Sequence, residues 1–412
     1  MIAGYFGFAA ANLRFVGFGF FLAFTSSYGQ TYFIGVFGPH VETEFDLSHT
    51  AWGTVYMVGT LGSAAVLPWT GKLIDRLDLR TYTVGVFVLF AAAAAVMAGA
   101  TGALTLTLAI FALRHGGQGL MSHTAVTSMT RYFAAARGRA VAIATLGFSL
   151  AEAVLPLGAV LLVAVIGWRA SYGLIGTALL CVMLPIALWL LTGHSKRHQQ
   201  YSLRLEQSKA SSGTPAGPDS WTIKEMLRDP RFHLLMPGLA APSVIVTAMF
   251  FHHLTLADAK GWTHVWFAGS YFVYALASTL ASLASGPVID RYGAIRLVRY
   301  MLVPLALALL ALVVSDTRAA AWIYLALAGV NVGIAHTAVS VMWAELYGIA
   351  HLGGIKALAG AISVFASALG PVSAGALMDH GLSIEQVCAG FVAYIVLAQP
   401  FIMLGLRRAR RA

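Results

Sequence analysis

Two charged residues stand in stretches that are otherwise apolar: Arg114 in LAIFALRHGGQGLM and Glu152 in TLGFSLAEAVLPLGAV. An ionised side chain away from water is costly unless an opposite charge or hydrogen bonds meet it. A guanidinium beside a carboxylate that takes up a proton offers one kind of chemistry. While Glu152 is ionised it neutralises Arg114; once protonated it releases the guanidinium to meet another polar or anionic group. Two roles stay open for this pair, a proton-coupling site or a staple between neighbouring helices. Polar side chains cluster in register with Arg114: Gln118 lies one helical turn on and Ser122 a further turn, on the same face, with His115 and His123 beside them.

The elements that must hold these residues follow from hydropathy. Of the 412 residues, 59% are hydrophobic and only 10% charged, with a mean hydropathy of +0.78. A soluble chain of this length could not cover its surface with so few charges. Apolar runs long enough to cross ~30 Å of hydrocarbon fall at 15–37, 52–73, 81–100, 104–128, 139–162 and 171–192, then at 232–255, 264–288, 298–315, 320–344, 356–377 and 386–406. We number these spans 1 to 12. The fold expected is all-α and membrane-embedded, with twelve transmembrane helices in two pseudo-symmetric six-helix bundles, residues 1–192 and 232–412, joined by a linker over 193–231. Arg114 then lies ~15 Å into span 4 at 1.5 Å per residue. Span 5 runs antiparallel to it and brings Glu152 to the same depth.

Charge sets the orientation. With both termini inside, inner segments hold 22 of the 26 Lys and Arg residues, as the positive-inside rule requires. The chain is expected to be a multi-pass protein of the plasma (bacterial inner) membrane with cytoplasmic termini. The net charge of +10 thus reflects topology rather than nucleic-acid binding. The first 13 residues carry no basic n-region of a cleavable signal, and Cys181 and Cys388, both in apolar runs, are expected to pack rather than form a disulfide. In the linker, Ser208 to Ser220 is flexible by composition, whereas Trp221 to Phe232 (WTIKEMLRDPRF) reads either as a short amphipathic helix ended by Pro230 or as a solvated connector.

One charged island recurs. Gly71-Lys72-Leu73-Ile74-Asp75-Arg76, continuing to Asp78 and Arg80, follows span 2; Gly286-Pro287-Val288-Ile289-Asp290-Arg291 follows the corresponding span of the second half. With these two loops, Arg114-His115-Gly116-Gly117-Gln118-Gly119 in span 4, Arg137-Gly138-Arg139 opening span 5, Gly167-Trp168-Arg169 before span 6 and Gly370-Pro371 in span 11, the chain resembles the major facilitator superfamily over essentially its whole length. WTIKEMLRDPRF and the run from Glu345 to Pro371 are similar to its bacterial monocarboxylate and oxalate:formate porter branch.

The resemblance implies a secondary transporter whose halves rock around a midplane site. It implies that Gly71, Asp75, Arg76 and Arg80 form a conformational latch, with Asp75 against the start of span 11 near Gly353 and Gly354. Asp290 and Arg291 would be its counterpart against span 5. Asp78 departs from the pattern, which usually has Gly there. The resemblance also marks the span 4 arginine for coupling and assigns the cavity lining to spans 1, 4, 7 and 10. The candidate substrate contacts are therefore Tyr28, Gln30, Arg114, Gln118, His123, Asn331 and His336, with Tyr271 and Tyr274 of span 8 closing the site. Ser and Thr are discounted because they bond to their own helix; His252 and His253 fall near the outer mouth.

The function expected is proton-coupled transport of a small organic solute, a monocarboxylate-like anion. One departure weighs on the substrate: the carboxylate branch generally carries a basic residue inside span 8, and none occurs between His264 and Val288 here. Efflux of amphipathic compounds is the alternative, ahead of metal transport or a receptor that no longer transports. Spans 7 and 8 lack His-x-x-x-Met and Met-x-x-x-Met runs. No P-loop or convergent nucleophile and base is visible, so neither a cofactor, a resident metal nor an enzymatic activity is expected.

Overall fold

The structure is a computed structural model; it describes residue 8 and residues 10–133, 136–195, 197–199, 221–348 and 351–408. The linker expected over Ser208 to Ser220 and the tail residues Arg410 and Arg411 lie outside the described residues. Among the described residues every regular element is helical, and the twelve spans appear in order. Eight segments are long and apolar enough to cross a membrane as single helices, one of which, Gly138–Leu190, is spans 5 and 6 together. That helix turns at Gly167, whose φ of 75° and ψ of 165° break the helical path, a conformation that Gly adopts without a Cβ clash. Arg169, just past the turn, donates to the carbonyls of Ala98 and Ala100 at 2.8 and 2.7 Å. It thereby closes the end of span 3, Leu79–Ala98.

The other spans depart from single long helices where backbone breaks occur. Span 1 is the helix Leu13–Ser26, a 3₁₀ turn over Ser27–Gly29 and a second helix Thr31–Val36. Span 4 begins as Ala103–Leu113, widens to a π-helix over Arg114–Met121 and resumes as Ser122–Tyr132. π-turns bond i to i+5 rather than i+4, so the backbone of span 4 widens over the segment that carries Arg114 and Gln118. Span 2 is His49–Thr70, leading into a 3₁₀ turn over Gly71–Asp75.

Contacts divide the chain into two compact units. One comprises Met1–Ile34, Val58–Ala151 and Leu161–Pro215; the other comprises Gly35–Met57, Glu152–Val160 and Ala216–Ala412. In the first unit, glycines let helices touch through their backbones: Gly147 of span 5 lies against the Phe20 carbonyl and Phe24 amide of span 1, with no room for a Cβ. In the second, Gly329 and Gly333 of span 10 meet the Tyr274 and Ser278 carbonyls of span 8, and Gly370 of span 11 meets the Val244 carbonyl of span 7. Where lipid tails are as apolar as the side chains, such close backbone packing replaces the hydrophobic drive between helices. Apolar side chains that would face water in a soluble protein are exposed, Val165 at 81% and Val314 at 76% among them.

The segment before span 7 is a helix, Ile223–Arg228, and not a bare connector. Thr222 and Glu225 close a reciprocal capping box at its start, and Met226 is buried. Asp229 then caps span 7, Pro230–Phe251, through the Arg231 amide. Its other carboxylate oxygen accepts from Arg231 Nε at 2.7 Å and from the Tyr347 hydroxyl at 3.0 Å. The Trp221 amide donates to the Tyr347 carbonyl at 2.9 Å, so this helix is docked on the end of span 10, Arg318–Tyr347.

Candidate functional site

Arg114 lies at the first residue of the π-segment and is 2% exposed. Its Nη1 donates to the Gly29 carbonyl at 3.1 Å and reaches the Thr31 hydroxyl at 3.5 Å. Gly29 ends the 3₁₀ turn that interrupts span 1, and Gln30 is extended at φ −85°, ψ 156°. The break frees a carbonyl to point at the guanidinium, which a continuous helix would have kept for its own ladder. Close approach makes this geometry possible: a Cβ on Gly29 would collide with the Leu113 carbonyl, and one on Gly117 would come within 2.8 Å of Gly29 Cα and the Ser26 carbonyl. The Gly116-Gly117 pair also admits the Phe90 side chain of span 3. A broken helix packed on a π-segment supplies backbone polar groups inside the apolar spans, the kind of arrangement from which transporters build solute sites.

Around this point the side chains separate into two classes. Tyr28 and Gln30 of span 1 and Gln118 of span 4 are half-buried; the Tyr28 ring meets Phe33 edge-on at 5.1 Å. His115 instead ties helices together. Its two ring nitrogens approach the hydroxyls of Ser63 at 3.4 Å and Thr70 at 3.1 Å, and Phe111 stacks on its face. His123 lies farther along span 4, beside Thr127 and Gly71, which places it next to the charged loop. Glu152 is half-buried on span 5, five residues past the Gly147 contact.

In the second unit, Tyr271 and Tyr274 are 0% and 3% exposed. They pack on Phe250 at 5.2 and 4.9 Å between ring centroids, with Phe267 and His253 against Tyr271. This is an aromatic core. Asn331 is fully buried and donates its amide to the Met301 carbonyl at 2.7 Å. Met301 sits where span 9 passes between its helices Ala294–Val298 and Leu302–Val314, so the amide supports a helix junction. His336 is exposed.

The charged loops hold partners that spacing did not suggest. Asp75 pairs with Arg131, at the end of span 4, and the same guanidinium donates to the Ile74 carbonyl at 3.0 Å. Arg76 and Arg80 are exposed. Asp78, standing where the family pattern has Gly, is the N-cap of span 3 and accepts from the Arg80 amide at 2.9 Å, a standard use of a short carboxylate. Gly354 of span 11 lies under Ile223. In the second half Asp290 and Arg291 are exposed, while Glu345 of span 10 accepts from the Ala294 and Ile295 amides at 2.8 and 3.1 Å. Spans 4 and 10 thus brace equivalent loops with opposite charge, Arg131 as donor and Glu345 as acceptor. A lone ionisable residue closing each span was the available signal.

At the opposite end of the spans, Lys260 is 6% exposed and reaches Asp316, Glu385 at 3.0 Å and the Leu312 carbonyl at 2.6 Å. Burial works against its charge, but the two carboxylates outweigh it and hold the ammonium pKa above the usual lysine value. Nearby in the same unit, Glu42, His49 and His252 draw together, a grouping that no spacing in the sequence indicates.

A family model described as Major Facilitator Superfamily matches residues 19–371. No curated protein sequence matches the chain. Among solved structures, the nucleoside transporter NupG superposes with a TM-score of 0.70 at 15% identity, over 96% of this chain and 98% of that one. A bacterial homolog of the human lysosomal transporter Spinster, in an inward-facing and unoccupied conformation, gives a TM-score of 0.68 at 15% identity, over 95% and 96%. These likenesses are of fold.

Proposed function

The chain belongs to the major facilitator superfamily, whose members carry small solutes across membranes, and on that premise we propose a proton-coupled secondary transporter of a monocarboxylate-like organic anion. The observation that carries this is Arg114, buried in the span at the junction of a broken helix and a π-segment. No Lys or Arg occurs inside span 8, so Arg114 is the deep cation that meets the anion. One face of its guanidinium is held by Gly29 and Thr31; Tyr28, Gln30 and Gln118 complete the proposed substrate contacts. Glu152 takes the proton. Ionised, it offsets the charge of Arg114; protonated, it gives way to the substrate carboxylate, so solute and proton move together.

The distribution of Lys and Arg supports cytoplasmic termini and a cytoplasmic Asp75 loop. In the cycle, Asp75 exchanges Arg131 for the start of span 11 near Gly353 and Gly354, where the positive end of the helix favours a carboxylate. Asp290 and Arg291 are the counterpart latch at span 5. A neutral polar solute is the second reading. It is favoured by the absence of a second deep cation and by the likeness of fold to a nucleoside transporter.

Counterflow in proteoliposomes across monocarboxylates, dicarboxylates, nucleosides and lipophilic cations separates these readings. Saturable exchange of monocarboxylates alone is the expected result; exchange of nucleosides or lipophilic cations instead would remove the anion assignment. Glu152→Gln should abolish uptake driven by a proton gradient and leave counterflow intact. If proton-driven uptake survives, Glu152 is not the coupling group.

A further inference from the structure

Glu42, His49 and His252 take no part in the proposed cycle, yet they converge in the second unit at the end of the spans opposite the Asp75 loop. Glu42 lies on the helix Gly38–Phe45, His49 opens span 2, and His252 closes the helix of span 7. One carboxylate oxygen and one nitrogen from each imidazole all lie within 4.8 Å of one another. Glu42 Oε1 and His49 Nδ1 are 3.0 Å apart, and the two imidazoles meet edge to face at 5.7 Å between centroids.

The surroundings prepare these groups as ligands. The Pro371 carbonyl accepts from His252 Nε2 at 3.0 Å, which fixes the neutral tautomer with its lone pair on Nδ1, the outer-shell support typical of a metal-bound histidine. Asp379 accepts from the His49 and Thr50 amides at 3.2 and 2.8 Å, anchoring the first turn from which His49 projects. His252 is 3% exposed, whereas the side chains of His49 and Glu42 are 31% and 12% exposed, leaving a path from the surface. Two imidazoles and one carboxylate suit a borderline divalent ion such as zinc, with a fourth tetrahedral position open to water.

We infer that Glu42, His49 and His252 form a binding site for a divalent cation of the zinc class, and that the ion clamps this end of the transporter shut. The clamp, though not the binding, rests on the alternating-access cycle proposed above. An ion held by three separate elements binds the arrangement in which they meet and not one in which they part. It therefore stabilises the former in proportion to its occupancy and slows exchange.

The test uses the full-length protein in detergent at about pH 7.5, where an ordinary imidazole is mostly neutral. Zinc binding is followed by calorimetry, and cobalt serves as a spectroscopic probe of coordination. One equivalent of zinc and a tetrahedral cobalt spectrum are expected. Glu42→Gln and His49→Gln should each weaken zinc binding at least about tenfold. His252→Gln, which keeps an N–H donor for Pro371, should do the same while preserving the melting temperature. Zinc added to the His49 side of proteoliposomes should slow counterflow of the unmodified protein and spare the His49→Gln variant. Unchanged zinc affinity in the variants, or no stoichiometric binding, overturns the site. Stoichiometric binding with unaffected counterflow overturns the clamp. Because binding is measured without transport, loss of the transport assignment would leave the site's own result distinct.

Discussion

Arg114 carries two interactions that a lysine cannot reproduce. Its planar fork donates from Nη1 to Gly29 and Thr31; an ammonium is a single point of charge on a flexible stem. Arg114→Lys should therefore retain the charge and lose a charge-assisted bond, about 1.5–3 kcal/mol, or roughly tenfold to a hundredfold in substrate affinity by equilibrium binding. Asn331 predicts the opposite pattern. Because its amide holds the Met301 carbonyl inside the packed helices, Asn331→Ala should lower stability by about 1–3 kcal/mol in thermal unfolding and leave substrate affinity unchanged. An affinity loss would return Asn331 to the substrate contacts.

At the scale of the element, the break in span 1 depends on one missing Cβ. Gly29→Ala drives a methyl group into the Leu113 carbonyl; overpacking of this kind costs about 1–3 kcal/mol. The variant should show a lower melting temperature together with impaired binding, because the carbonyl that orients Arg114 moves with the turn. The helices that meet at Lys260 respond to pH in a defined direction. Its pKa is raised by Asp316 and Glu385, so its contribution is complete below the ordinary lysine value and fades as pH rises through the higher folded one. Melting temperature measured against pH should lose this increment only in strongly alkaline buffer. Lys260→Met should remove it at neutral pH, by about 1–2 kcal/mol, a figure reduced for the exposure of Asp316.

For the molecule as a whole, the proposed cycle sets exchange between states by which partner each charged loop holds. Asp75 takes Arg131 here, and the proposed cycle moves it to the start of span 11. Asp75→Asn removes the charge from both arrangements and keeps the side-chain shape. Its expected effect is a several-fold fall in counterflow rate with equilibrium substrate affinity preserved, read by comparing initial rates with binding isotherms. Equal losses in both would assign Asp75 to the solute site or to folding.

Span positions, their number and the membrane class were all legible in residue order, because hydropathy is carried by each residue separately and only needs to be summed along the chain. The helix before span 7 was half-legible, through the amphipathic pattern of Trp221 to Phe232 and Pro230 at its end; its capping box appears only in the fold. What the tertiary structure alone decided were the partners. Asp75 and Arg131 are 56 residues apart, Arg114 and Gly29 are 85 apart, and no local pattern connects either pair. The widening of span 4 into a π-segment was equally hidden. It replaces one set of backbone bonds with another of similar strength, and the choice depends on Gly29, Gly117 and Phe90 packing from three helices at once. The sequence by itself determined a twelve-span membrane protein with a buried arginine on span 4. Only the folded chain decided that this arginine faces a broken helix, since that requires two distant backbones to come within contact of each other.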